Sequence, residues 1–247
     1  TLAAVGRVQF AINLLFSASE VLNFVFNHST RTDNYAASAA SVRSTLISVA
    51  GDLAASHSWD VDTAEGLMAC CSSLSSQARA SLTLSDKGSL LTQLATISNR
   101  SAEMFGYASE TTAQLGIDAA SNLVRAGVLQ RSPTRRRRQL LSSLDEVATS
   151  LEGAVALLGD ALAGSLVAGE DPIKVQNRHV GMQSRVVDQQ VLYGGLSFDV
   201  ITAERNKNLY RPSFQLPRTL LDGVRGVSKH TPVSVVAVNW ALNPYSC

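Results

Sequence analysis

The chain has 247 residues, of which 17% are charged, with 21 Lys and Arg balanced by 20 Asp and Glu. This length is enough to bury a sizeable core in one or two domains. Four of the basic residues lie together at positions 135–138, so no distributed basic face remains to neutralise phosphates, which excludes a general nucleic-acid binder. Because the helical pattern starts at Thr1 without an initiator Met, we expect a segment of a larger protein.

The first predicted element is a helix over Val8–Phe26. Its apolar content is typical of a membrane span, but a spanning helix needs about 20 mostly apolar residues. Four polar residues interrupt this one, so we predict a helix of a bundle instead: Gln9, Asn13, Glu20 and Asn23. One line at helical spacing comprises Val8, Ile12, Leu15, Ser19, Leu22 and Phe26. Three phenylalanines lie off that line, so we expect the helix to be covered on two faces: Phe10, Phe16 and Phe24.

Four further helices are predicted before residue 131. The second helix covers Asn34–Ala55, with Val42, Leu46, Val49 and Leu53 as its buried stripe. The third begins at Asp62, with Glu65 as its capping-box partner, and buries Leu67, Cys70 and Leu74. The fourth begins near Ser85 or Asp86 and buries Leu90, Leu94, Ile97, Ser101 and Met104. The fifth covers Ser109–Gln130, and its small residues, such as Ala113, Gly116 and Ala120, predict close helix packing.

A basic loop over residues 131–139 follows, and three interpretations of its four arginines stay open. Pro133 ends the preceding helix, and a solvated linker is the simplest reading of the charge. Proprotein cleavage after Arg138 is the second, and docking on an anionic partner or glycan is the third. The residues concerned are Arg135, Arg136, Arg137 and Arg138.

A long helix and then a change of period define the second half. Leu144, Val147, Leu151, Val155, Leu158, Leu162 and Ser165 give helical spacing within Leu140–Val167. Gly169 is the predicted C-terminal cap, and Pro172 prevents continuation. Beyond Pro172 apolar residues alternate, which predicts five strands: around Ile173–Val175, Val180–Val186, Leu196–Val200, Phe214–Leu216 and Val233–Leu242. Gly194-Gly195 reads as a turn, residues 203–212 as an exposed loop, and the last strand as one buried on both faces.

The cysteines and the N-glycosylation sequons do not decide between an oxidising and a reducing compartment for the chain. Cys70 reads as a small core hydrophobe. The competing interpretation is an oxidising compartment, in which Cys71 or Cys247 pairs with a partner or a missing segment. Two candidate N-glycosylation sites occur, at Asn27 and at Asn99, and the second lies inside a predicted helix.

No catalytic pattern is recognisable in the sequence. The four histidines, His28, His57, His179 and His230, lie far apart and form no metal-binding pair. Neither a phosphate-binding glycine loop nor a nucleophile elbow occurs. We therefore predict a protein that is not an enzyme, with no cofactor, no metal and no small-molecule substrate.

The region from Leu140 to Cys247 resembles the receptor-for-egg-jelly and GAIN region of polycystin-1-like proteins. The segments that carry the resemblance are, in order, Leu158–Leu162, Gly169–Ile173, Phe214–Pro217 with Leu220-Leu221, and Asn243-Pro244-Tyr245. The resemblance implies an α+β fold, with an all-α helical bundle at residues 1–168 and an antiparallel β-sandwich at residues 169–247. It implies no self-cleavage site here, because His230-Thr231 lacks the Leu that the family places between these residue types.

The resemblance also implies a function. It predicts a non-enzymatic structural or adhesion module on the extracellular face of a large, membrane-tethered glycoprotein of a cell, cilium or flagellum. Its partners would be proteins or other domains of the same chain, and not nucleic acid, with any membrane contact made by regions outside this segment. The alternative is an intracellular helical scaffold subunit of a ciliary or cytoskeletal assembly, which the low charge and small-residue helices also fit.

Overall fold

The computed structural model describes residues 2–28, 33–56, 59–76, 82–128, 137–188, 191–192, 196–199, 213–215 and 232–241. Six helices come first in these residues: α1 Leu2–His28, α2 Asp33–Ala54, α3 Val61–Ser76, α4 Leu84–Phe105, α5 Glu110–Val128 and α6 Arg137–Ala163. Five strands follow them: β1 Ile173–Gln176, β2 Val180–Asp188, β3 Ser197–Asp199, β4 Ser213–Gln215 and β5 Pro232–Trp240. The predicted change from helix to strand is therefore confirmed.

Helix starts are fixed by side chains that accept hydrogen bonds from the first free amides. Asp60 Oδ1 accepts from the Thr63 amide at 2.7 Å, so the cap of α3 is Asp60. The predicted box of Asp62 and Glu65 is wrong, because Asp62 already lies in the first turn. At α4, Thr83 and Asp86 form a reciprocal capping box.

The end of α6 also differs from the prediction. The helix ends at Ala163 rather than Val167, and Gly169 is not its cap. Gly169 instead adopts φ +94 within a turn closed by the Glu170 amide, which donates to the Val167 carbonyl at 3.1 Å. Positive φ is why glycine stands there, so the sequence signal was real but belonged to a different turn.

The predicted helical core is confirmed for the described side chains of α3 and α5, and for α6 from Leu151 to Leu162, whereas Ser165 is exposed beyond the helix end. For α4 it is confirmed except at Met104, which is 50% exposed, and for α2 it is wrong. The buried α2 residues are Ala39, Arg43, Ile47, Ala50 and Ala54. The predicted stripe placed Val42 and Val49 inside, whereas they are exposed. Hydropathy alone misled the assignment, since Arg43 is among the most buried side chains of the described chain.

The larger sheet is antiparallel, with strand order β1-β2-β5. The longest pairing aligns β2 with β5 from Val180 opposite Trp240 to Asp188 opposite Pro232. One face packs directly on α6, where the Ser184 hydroxyl donates to the Gly159 carbonyl at 3.0 Å. A separate pair, β3-β4, provides Phe198, which is buried with Val187 against the opposite face of β5.

The prediction of a helical bundle followed by a β-sandwich is wrong. The described part of the chain is mostly helical, and its one three-stranded sheet uses helices, not a second sheet, as the cover of its inner face. The main core accordingly joins Leu158 and Leu162 of α6 with Val180 and Met182 of β2. Apolar alternation predicts the positions of the strands correctly, but it says nothing about which element covers them. The prediction that the last strand is buried on both faces is wrong, because the residues of β5 are half-buried or exposed.

Candidate interaction surface

The outward side of α1 is apolar. Of the predicted inner line, Ile12, Leu15, Ser19 and Phe26 are buried, whereas Val8 and Leu22 are only half-buried. The expectation of a second covered face is wrong, because Phe10, Phe16 and Phe24 are 70%, 38% and 63% exposed. Between them, Leu14 is 62% and Val21 63% exposed. Exposed apolar residues scattered singly need no explanation, whereas a contiguous patch marks a site of interaction. We define the outer face of α1 as Phe10, Leu14, Ser17, Ala18, Val21, Phe24 and Val25.

Spacing along this face is regular. Phe10, Leu14, Ser17, Val21 and Phe24 advance by steps of four, three, four and three residues. These steps are those of a heptad seam, in which one helix packs its side chains between those of a second helix. An ordinary surface helix places such a stripe toward its own core, while here that role belongs to a different line of α1.

An apolar groove of about 560 Å³ runs beside the face, between α1 and α2. It is lined by Leu14, Ser17, Ala18, Val21, Leu22, Val25, Ser38, Ala39 and Val42. Outer face and groove together form one continuous apolar surface, and it lacks charged lining residues.

Close packing holds α1 against α3. Gly66 faces α1 so closely that a Cβ at this position would lie 2.7 Å from Ile12 Cγ2. The Cys70 thiol lies 3.7 Å from the Ile12 carbonyl oxygen. Further along, the hydroxyls of Ser19 and Ser73 are 2.7 Å apart. The outer face is therefore presented on a helix whose opposite side is fixed by contact along much of its length.

A buried arginine links three helices beneath this surface. Arg43 of α2 donates through Nη1 to the Leu74 carbonyl at 2.7 Å and through Nη2 to Asn23 Oδ1 at 2.9 Å. Burial lowers the pKa of Arg43, and the charge of Asp86 acts in the opposite direction. Its Nε has no hydrogen-bond partner among the described residues. Asn23 also donates to the Ser73 carbonyl at 3.0 Å, so α1, α2 and α3 are joined by one polar network.

One helix in the described chain, Gly6–Phe26, is long and apolar enough to cross a membrane. This result follows from length and composition alone. The sequence argument against a membrane span depends on the polar residues that interrupt the helix. Two of them, Gln9 and Asn13, bond along the helix at 3.4 Å. Asn23 bonds to α3, which makes the helix an integral part of the bundle.

Neither Cys70 nor Cys71 lies at the surface. Burial raises the pKa of the Cys70 thiol to about 12, and it raises the pKa of Cys71 as well. Cys71 Sγ lies 3.6 Å from Gln93 Oε1 inside the bundle. A disulfide from Cys71 to a partner would require these helices to separate, since the thiol is 1% exposed. Cys247, the other candidate, lies outside the described residues.

The remaining candidate sites are spread over the molecule. Asn27 lies in the last turn of α1, and Asn99 is exposed on α4, where its amide donates to Glu103 Oε1 at 2.7 Å. The predicted basic loop is shortened, because α6 begins at Arg137 and so includes Arg138. Arg135, Arg136, His57, His230, Gly194-Gly195 and residues 203–212 lie outside the described residues.

In the parts of the chain that the structure describes, no group of three or more His, Cys, Asp or Glu side chains is placed to hold a metal ion. A second groove, between α2 and α4, is lined mainly by Ser, Thr and Gly residues. Its one carboxylate, Asp86, is already used in the capping box with Thr83. Comparison with protein-family models, with curated proteins and with solved structures finds no significant match to the chain.

Proposed function

We propose that this chain is a non-enzymatic interaction module, and that the outer face of α1 with the adjoining α1–α2 groove binds an α-helix of a protein partner. The heptad spacing of the exposed residues from Phe10 to Phe24 carries this proposal. Regular steps of four and three match a helix as the complementary surface, because side chains at this spacing fit between those of a second helix.

The amount of apolar surface supports the proposal. The exposed shares of the apolar side chains amount to on the order of 400 Å², taking roughly 150–200 Å² for a whole Phe side chain and about 60–120 Å² for a Val or Leu side chain. The contributing residues are Phe10, Leu14, Val21, Phe24, Val25 and Val42. Patches of this size on soluble proteins are commonly sites of interaction.

The polar network beneath the surface also supports a docking role. Arg43 and Asn23 fix α1 relative to α2, which sets the width of the groove before a partner arrives. A rigid surface lowers the ordering cost of association. The compartment is a separate matter: placement on a cell surface and placement inside the cell both stay predictions.

Cysteine accessibility tests the proposal. Ser17 lies mid-face and is exposed, with its hydroxyl bonded to the Asn13 carbonyl at 2.8 Å. Ser150 on α6 is a matched control, since it is exposed and bonds to the Glu146 carbonyl at the same 2.8 Å. In a Cys247→Ser background, Ser17→Cys and Ser150→Cys are labelled with a maleimide, both as purified chains and in the cells that make them.

We expect protection of the cysteine at position 17 in cells, retained after mild detergent extraction, with free labelling at position 150. Equal labelling at both positions would contradict a covered face. Protection that disappears in detergent would indicate lipid instead of a protein helix, and would also overturn the proposal.

A further inference from the structure

Six of the seven residues of the outer face of α1 are spaced symmetrically about the Ser17-Ala18 pair, and Phe24 is the exception. Phe10 and Leu14 precede Ser17-Ala18, and Val21 and Val25 follow at mirrored distances, so the steps are four, three, one, three and four. An antiparallel pair of such helices centred between Ser17 and Ala18 would place Leu14 of each copy opposite Val21 of the other. The same arrangement would place Phe10 opposite Val25.

We propose that the helix bound by this surface is α1 of a second copy of the chain, forming a two-fold symmetric dimer with the two α1 helices antiparallel. The inference rests on the proposed function and names its partner. Isologous interfaces need one patch that is complementary to itself, and the mirrored order meets that need.

Small residues stand where the symmetry axis would pass. Ser17 and Ala18 allow the two helix backbones to approach closely at the centre, while the larger side chains lie toward the ends. The groove between α1 and α2 continues the surface, so each α1 would contact both helices of the other copy. The result would be a bundle of four helices, two from each chain.

The available area matches a stable dimer. A standard interface buries about 800 Å² on each partner, and roughly two thirds of it is apolar in homodimers. That share is on the order of 500 Å², close to the apolar surface estimated for the face and groove. Charged side chains are absent from the outer face, so pairing it with a copy buries no like charges.

A matched pair of valine variants tests the dimer. Val21 is 63% exposed on the face, and Val167 is 66% exposed in the segment after α6. Sedimentation over a wide concentration range should show a dimer for the parent and for Val167→Glu. For Val21→Glu we expect the dissociation constant to rise at least about tenfold, because a carboxylate would be buried at the seam. A dimer unaffected by Val21→Glu would place the contact elsewhere and overturn the inference.

Cross-linking tests the direction of the helices. In the Cys247→Ser background, Leu14→Cys and Val21→Cys chains are mixed and mildly oxidised, while Cys70 and Cys71 stay buried. Antiparallel packing predicts a disulfide between the two different chains. Disulfides joining only identical variants would indicate parallel helices and overturn the proposed arrangement.

If the chain is monomeric, two further results distinguish a failure of the dimer from a failure of the proposed function. A chain that stays monomeric, yet shows detergent-resistant protection at position 17 in cells, overturns the second copy but keeps the helix-binding surface. A monomer that floats with phosphatidylcholine vesicles, with flotation lost in Val21→Glu, overturns both.

Discussion

Arg43 is the residue that joins the surface to the core. Its guanidinium is fully buried and donates to Asn23 on α1 and to the Leu74 carbonyl on α3. Removing a buried donor leaves its acceptors without partners, and truncation adds a cavity. The two effects can be separated by comparing side chains that do and do not fill the space.

We expect Arg43→Ala to lower the free energy of unfolding by roughly 2–4 kcal/mol. Arg43→Met should cost less, because it retains most of the volume and removes a buried charge with an unpaired Nε. Urea unfolding measures both, with exposed Arg178→Ala as a control expected within about 0.5 kcal/mol of the parent. Equal losses for the two Arg43 variants would argue against a cavity contribution.

Sequence reasoning missed Arg43 for a physical reason. Arginine is rarely fully buried, so hydropathy favours Val42 and Val49 for the inner stripe of α2. Only the partners that lie far away in sequence, Asn23 and Leu74, make its burial tolerable. A signal was nevertheless present, since Ala39, Arg43, Ile47 and Ala50 follow helical spacing through a position that hydropathy rejects.

The sequence predicts the type of each helix and strand well, but it predicts the residues at which they begin and end less well. The α3 helix was expected to start at Asp62, and its cap is Asp60, two residues earlier. Both are acidic residues near a helix start, so composition could not separate them. Which of the two residues caps the helix depends on its backbone dihedrals. The capping residue must have an extended backbone, and its side chain must accept a hydrogen bond from the amide of the third residue after it.

This pair gives an element-scale prediction. Asp60→Ala should lower the free energy of unfolding by about 1 kcal/mol, because the amide of Thr63 loses its acceptor. Asp62→Ala should cost only a few tenths of a kcal/mol, since it loses only a favourable charge near the helix N-terminus. Chemical unfolding of the two variants measures the difference. A reversed order would restore Asp62 as the cap.

The first helix shows what periodicity can and cannot give. Spacing predicts the inner line, and Ile12, Leu15, Ser19 and Phe26 of that line are buried. Their positions off this line predict a second covered face for Phe10 and Phe24, yet both are exposed. An apolar residue off the main stripe looks the same in sequence whether its own chain or another molecule covers it. The candidate surface could therefore be found only after the bundle had been assembled.

At the scale of the whole molecule, the helices and the sheet form one packed body. Strand positions followed from alternation, but the sandwich inferred from the resemblance did not form. Val175, Val180 and Met182 instead share a core with Leu158 and Leu162. Direct contact between helix and sheet needs a small residue at the crossing, and Gly159 of α6 supplies it.

Replacing either of two glycines of α6 with alanine tests this arrangement, because we expect the two variants to change the free energy of unfolding in opposite directions. A Cβ at Gly159 would lie 2.4 Å from Val236 Cγ1 and 3.1 Å from Met182 Sδ, so the sheet would have to shift. At Gly153, by contrast, a Cβ would meet nothing within 4 Å. Both positions lie in the same helix, and alanine raises helix propensity at each by about 1 kcal/mol.

We expect Gly153→Ala to raise the free energy of unfolding by roughly 0.5–1 kcal/mol. Gly159→Ala should lower it by about 1–3 kcal/mol, because crowding against β2 and β5 outweighs the gain in propensity. Urea titration of the two single variants provides the measurement, and the double variant should be additive, since the sites are well separated along α6. Stabilisation by both alanines would mean that the sheet does not rest on this helix, as in a bundle linked to an independent sandwich.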